Sequence, residues 1–273
     1  MEVGAAFAVQ LIGRVGVAGM VTLRLLAAAA ALVIVAHPGT RGYSRGDWAV
    51  VGAFAVALVS MNTLFYQAIS RLPLGPAVTL EVLGPLTLSV VTGRRALNWL
   101  WAGLAVGGVF LLGHSGFDRL DPIGLLCIFG AAAMWAGYIL LSARTGQRFA
   151  KADGLALAMT GAAVLSLPLG ITHAGAAILD PAAAALGAAT GVMSSAVPYS
   201  FELFALRRLA TSTFAVLMSL GPALAAFVGL IMLNQQLAPT EWLAIGLVIM
   251  ASMGAVRTAQ GRAAGGDAAP VIG

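Results

Sequence analysis

Apolar residues run along most of this chain in long stretches broken by short polar clusters. The spacing of the breaks, rather than an amphipathic period, therefore carries the first information. A helix needs about 20 apolar residues to cross a hydrocarbon core. On that length the pattern predicts spans at 15–36, 48–70, 74–93, 97–114, 121–142, 154–172, 181–206, 210–233 and 240–256. Gly, Pro and charge gather in the breaks, at HPGTRGYSRGD, RLPLG, TGRR, HSGFDRLDP, SARTGQRFAKAD, THAGAAILDP, RRLATS and NQQLAPTE. Ahead of these nine spans lies an apolar stub, MEVGAAFAVQLIG, too short to cross.

Composition sharpens this into a class. Of 273 residues 60% are hydrophobic and only 9% charged, and the mean hydropathy is +0.96. A soluble domain is about half apolar and about a quarter charged, so this is an all-α polytopic membrane protein. A β-barrel is excluded, because its short strands would alternate apolar and polar residues. The 34 glycines suit helices that pack closely through small residues in lipid. GLAVG at 103–107 and GAATG at 187–191 are such packing pairs.

Charge adds topology. The net charge of +5 does not point to nucleic acid, since the basic residues lie in ones, twos and threes between apolar segments. One side of the membrane takes Arg41, Arg45, Arg94, Arg95, Arg144, Arg148, Lys151, Arg207, Arg208, Arg257 and Arg262; the other takes Arg14, Arg71 and Arg119. Short loops rich in Lys and Arg stay in the cytoplasm, so the first side and the C-terminus are expected to be cytoplasmic. No basic-start signal peptide precedes the spans.

Two stretches read alike. AISRLPLGPAVTLEVLGPLTLSVV at 68–91 aligns without gaps on ALRRLATSTFAVLMSLGPALAAFV at 205–228, matching at Arg71/Arg208, Leu72/Leu209, Leu83/Leu220, Gly84/Gly221 and Pro85/Pro222. They lie on the third and eighth spans, an odd five steps apart, so the copies would run in opposite directions through the membrane. Inverted repeats of this kind mark secondary transporters. The expected architecture is a ten-helix 5+5 repeat, with one half at 1–114, its inverted partner at 121–258, and a disordered cytoplasmic tail at 259–273. WAGYILLSARTGQRF from Trp135 also aligns on EVGAAFAVQLIGRVG from Glu2, and the later copy has an extra apolar run before that point. The first helix is therefore expected to be incomplete, through a start site placed too late or a true truncation.

The chemistry-bearing residues are few. Proline removes the hydrogen bond to the carbonyl four residues earlier, so Pro85 releases that of Glu81 and Pro222 that of Met218. Gly84–Pro85 and Gly221–Pro222 are expected hinges, against the plainer reading of a packing kink. Glu81 lies about 10 Å below the outer end of its helix at about 1.5 Å per residue. Intramembrane carboxylates commonly mark proton or substrate paths. Glu202 either serves such a path or pairs with Arg207 or Arg208. Arg24, ten residues into its span, either meets a substrate carboxylate or Glu81, or snorkels outward. Further cavity-lining candidates are Asn62, Tyr66, Gln67, Trp135, Tyr138, Ser194, Ser195 and Tyr199, each of which can equally be interhelical glue. His37, His114 and His173 fall near segment ends and Cys127 is alone. No metal-ligand cluster, cofactor-binding loop or hydrolase motif appears, and neither metal, cofactor nor catalytic residue is expected.

RLPLGPAVTLEVLGPL together with VPYSFELFALRRLATSTFAVLMSLGPALAA resembles the EamA-type members of the drug/metabolite transporter superfamily, nearest the threonine and homoserine exporter branch. The resemblance spans nearly the whole chain. It implies ten helices in two inverted halves, proton-driven efflux of small amino acids or related metabolites, and Glu81 and Glu202 as family features. A rival within transport is efflux of cationic or aromatic drugs along Trp135 and Tyr138 as a cation–π wall. A membrane enzyme or sensor scaffold would need a polar cluster at one face or a soluble domain, and the loops are too short for either. The expected partners are a small-molecule substrate, protons and the lipid bilayer; a homodimer is compatible with the pattern.

Overall fold

The computed structural model describes residues 2–93, 96–114, 121–149, 152–196 and 221–266. Among these no strand occurs, and ten α-helical stretches follow one another. They are α1 (Glu2–Ala36), α2 (Arg45–Ile69), α3 (Leu74–Glu81), α4 (Leu83–Gly93), α5 (Ala96–His114), α6 (Pro122–Arg148), α7 (Asp153–Ala174), α8 (Pro181–Gly191), α9 (Gly221–Leu233) and α10 (Pro239–Gly266). Five apolar segments are long enough to cross a membrane: Leu11–Ala36, Arg45–Ile69, Pro122–Arg148, Asp153–Leu179 and Pro239–Arg257. Shorter apolar helices occupy Leu74–Leu88, Trp99–Leu111, Pro181–Ser194 and Gly221–Leu233. Leu126 and Ile231 are each 75% exposed. Such an apolar exterior suits lipid rather than water.

The helix starts obey local chemistry. Ser44 caps α2 in a capping box with Asp47. Asp121 accepts from the amides of Ile123 and Gly124 to cap α6, and Asp180 caps α8. Pro122, Pro181 and Pro239 open their helices, where a missing amide hydrogen is harmless. The α3 N-terminus differs: its N-cap is Pro73, with no side-chain cap of its own. Gln235, from the turn after α9, supplies the acceptor, its Oε1 lying 2.9 Å from the Leu74 amide nitrogen.

Two features differ from the apolar pattern alone. The N-terminal stub is helical and runs into the first span as one element, bent at Gly16, whose φ of 69° lies in the region glycine tolerates. The span predicted at 74–93 is two helices, interrupted at Val82, three residues before Pro85. Residues 197–220 lie outside the described part, so the ends of the spans predicted at 181–206 and 210–233 are not seen. α8 itself passes into a π turn at Val192–Ala196.

Helices from the two ends of the chain pack on each other. α1 lies against α7 and α8, α2 against α6 and α7, α3 against α9, and α5 against α10. The core runs through α1, α2, α3 and α7, including Leu11, Met20, Leu25, Phe54, Leu58, Tyr66 and Met159. Close approach depends on small residues. A Cβ on Gly75 would lie 2.9 Å from that of Ala226, and one on Gly191 would lie 2.7 Å from the Arg24 carbonyl oxygen. Across α1 and α7, Thr22 donates to the Ser166 carbonyl at 2.9 Å.

Polar ties join the helices near their ends. Arg148, in the last turn of α6, donates to Asp47 at 2.7 Å, and the Gly39 amide donates to Asp153 at 3.3 Å. Elsewhere Arg71 lies 3.9 Å from Asp121.

Candidate functional site

The polar residues that interrupt α1, α2 and α8 converge. Arg24 sits near the middle of its apolar segment, about 13 Å from Val15 by the helical rise. Its Nη1 donates to the side-chain oxygen of Asn62 on α2. Its Nε lies 3.3 Å from Ser194 Oγ, in the π turn that continues α8. The guanidinium carbon stands 5.2 Å from the centroid of the Tyr66 ring. A guanidinium over an aromatic face is attracted by the ring's electron density, more strongly where water is excluded.

The supporting residues are fixed in turn. Asn62 donates through Nδ2 to the Leu58 carbonyl at 2.8 Å, which leaves its oxygen aimed at Arg24. Ser194 donates to the Thr190 carbonyl, so its oxygen is presented to Nε. Asn62, Tyr66 and Ser194 are buried, at 7%, 2% and 3% exposure; Arg24 itself is half-buried. Asn62 and Tyr66 are four residues apart on α2 and therefore share a face. The oxygens of Asn62 and Ser194 and the Tyr66 ring thus help to orient a half-buried cation within an apolar bundle. A guanidinium carries five N–H donors in a planar fork that matches a carboxylate.

Other sequence candidates have surroundings of their own. Gln67 is taken up at the end of α2, where its Oε1 accepts from Arg71 Nη1 at 2.7 Å. Trp135 and Tyr138 are half-buried on α6, and the Tyr138 ring meets that of Phe54 at 5.2 Å. Glu81 is half-buried at the last position of α3, beside the interruption at Val82. Ser195 belongs to the π turn next to Ser194. Glu202 and Tyr199 lie outside the described residues, as does Met218.

The two Gly-Pro pairs have unlike surroundings. Gly84 is pressed onto α6: a Cβ there would overlap the carbonyl oxygen of Ala132. Gly221 is the first described residue of α9, with no described atom within 4 Å of an added Cβ, and Pro222 beside it is buried. Two participants escaped the sequence reading. Thr190 lies in GAATG, which reads as a packing pair, and Gln235 lies in NQQLAPTE, which reads as a break. The one available signal was chemical: Thr190 is a hydroxyl in an otherwise Ala/Gly run. Among the described residues no group of three or more His, Cys, Asp or Glu is disposed to hold a metal.

The sequence profile of the EamA-like transporter family matches residues 122–257. The threonine/homoserine exporter RhtA of Escherichia coli K12 is 38% identical over 257 residues, which cover 93% of this chain and 87% of the relative. The protein of that name from Salmonella typhimurium LT2 is 38% identical over 263 residues, 94% of this chain and 88% of the relative. The uncharacterized transporter YwfM of Bacillus subtilis 168 is 26% identical over 211 residues, 74% of this chain and 71% of its own. A solved crystal structure superposes with a TM-score of 0.58 over 94% of this chain and 96% of that one. At 18% identity it is a likeness of fold alone.

Proposed function

Because the chain belongs to the EamA-like transporter family, we propose that it exports threonine, homoserine and related small amino acids, with Arg24 receiving the substrate carboxylate. Its relatives are transporters, not enzymes, and its long apolar helices suit a multi-pass inner-membrane protein. The observation that carries the proposal is the convergence of Asn62, Tyr66 and Ser194 on Arg24. The side-chain oxygens of Asn62 and Ser194 fix the orientation of the guanidinium. A carboxylate arriving from water loses hydration, and a pre-oriented fork with two parallel N–H donors compensates that loss best.

Export is driven by protons, with Glu81 taking the proton or the substrate amine. Its position at the end of α3 supports this reading, because a helix interruption in a membrane leaves backbone acceptors that must face protein or a water-filled cavity. Alternating access follows from rocking of two inverted five-helix halves, 1–114 and 121–258, hinged at Gly84–Pro85 and Gly221–Pro222, with the C-terminus cytoplasmic. The contact of α5 with α10 and of α3 with α9 supports it, since these pairs are counterparts or neighbours of counterparts in the repeat. Aromatic drug efflux gains no comparable support, as the Tyr138 ring is engaged by Phe54.

The test is efflux from proteoliposomes loaded with radiolabelled threonine or homoserine, with and without a pH gradient. Wild-type protein should release both faster with a proton gradient directed against substrate flow. Arg24→Gln should abolish release of both. No release by folded wild-type protein, or full release by Arg24→Gln, would overturn the proposal.

A further inference from the structure

Five of the seven buried serines and threonines among the described residues donate to a backbone carbonyl. Thr79, Thr145 and Thr160 each donate to the carbonyl four residues earlier, at 2.7, 2.7 and 2.8 Å. Thr22 donates across to Ser166 and Ser166 donates to Ala163. Thr190 Oγ1 is different: it is buried and has no hydrogen-bond partner, in a residue only 1% exposed. A buried hydroxyl without a protein partner is disfavoured, so it marks a point where a polar ligand would be bound favourably.

Its location says what that ligand is. Gly187, Thr190, Gly191 and Ser194 follow the i, i+3, i+4, i+7 spacing of one helix face. That face lies on α1: Gly187 meets the Leu23 side chain, and Gly191 meets the Arg24 carbonyl and Ala27. Ser194, one turn beyond, bonds both the Thr190 carbonyl and Arg24 Nε. The unpartnered hydroxyl is therefore one helical turn, about 5.4 Å, from the group that orients the guanidinium. A β- or γ-hydroxy amino acid carries its hydroxyl and its carboxylate only a few bonds apart, so one molecule can address two protein groups a helical turn apart. α8 also gives way here to the Val192–Ala196 π turn, a form of local unwinding common at functional sites. Ser252 Oγ is the other described buried atom without a partner. It lies on α10, which packs on α5 and α4, and shares no such surroundings.

We propose that Thr190 is the specificity residue that hydrogen-bonds the side-chain hydroxyl of the substrate, while Arg24 holds its carboxylate. This rests on the export reading above. A site that offers a hydrogen-bonding group to a substrate hydroxyl disfavours the analogue lacking it, because the protein's own hydroxyl then stays unpaired.

Threonine and valine differ by a hydroxyl replacing a methyl, so their efflux ratio from loaded proteoliposomes reads the contact directly. Wild-type protein should prefer threonine. Thr190→Val should lower the threonine-to-valine ratio of kcat/KM at least about tenfold while still releasing valine, and Thr190→Ser should keep the wild-type ratio. An unchanged ratio in Thr190→Val, or loss of both substrates in that variant while Thr190→Ser behaves as wild type in detergent melting, overturns the assignment. Wild-type protein that releases neither amino acid defeats the export reading instead.

Discussion

The guanidinium of Arg24 and the amide oxygen of Asn62 are joined across α1 and α2 by a side-chain hydrogen bond within an apolar bundle. The Asn62 amide nitrogen is held by Leu58 four residues earlier, so the asparagine has a fixed orientation and the arginine does not need to find it. Replacing Asn62 by Leu should leave the helix intact and the cation misaimed. The expected outcome is a KM for threonine efflux raised about tenfold or more, equivalent to about 1.4 kcal/mol, with a melting temperature close to that of wild type. Arg24→Lys should lose more, since an ammonium cannot reproduce the planar fork.

Glu81→Gln keeps the shape of the side chain and removes its proton exchange. Threonine efflux by this variant should no longer respond to an imposed pH gradient, while downhill efflux through the same vesicles continues. A gradient response equal to that of wild type removes Glu81 from the coupling role.

The glycines of the two Gly-Pro pairs should respond in opposite ways to the same methyl group. Gly84→Ala forces a Cβ into the Ala132 carbonyl and should destabilise the protein by about 1–3 kcal/mol, the usual range for overpacking. Gly221→Ala meets no described atom within 4 Å and should stay within about 0.5 kcal/mol of wild type. Denaturation in detergent micelles checks both.

Gln235→Ala removes the acceptor of the Leu74 amide. With Pro73 offering no cap, the first turn of α3 should fray, at a cost of about 1–3 kcal/mol for a part-buried donor left unpaired. Hydrogen exchange at Leu74 should accelerate, while the α2 cap at Ser44–Asp47 stays protected.

Much of this protein is legible because lipid imposes a simple rule. Spans must be long and apolar, so the breaks around His37–Ser44, Arg71–Pro73 and Asn234–Ala238 stand out as interruptions, and the break inside 74–93 is announced by Gly84–Pro85. Arg24, Asn62, Tyr66 and Ser194 each stand out as polar or aromatic residues in apolar surroundings. Their meeting was not legible. A helix apolar on every side has no stripe that says which neighbour it faces, and the partners of Arg24 lie 38 and 170 residues away. Thr190 and Gln235 were hidden for a different reason. Their importance comes from what does or does not bond them, and a hydroxyl in GAATG or an amide in NQQLAPTE carries no mark of that.

The contact between Gly84 and Ala132 bears on how such a molecule can move at all. Two helices that touch backbone to backbone have no side-chain cushion between them, so they cannot slide past each other or separate a little without losing the contact altogether. Turning about the point of contact disturbs it least. If the bundle rocks, α4 and α6 meet at its fulcrum. Leu74 begins α3 and Arg148 ends α6, so a turn about that contact carries the Gln235–Leu74 bond and the Arg148–Asp47 pair farther than the residues beside it.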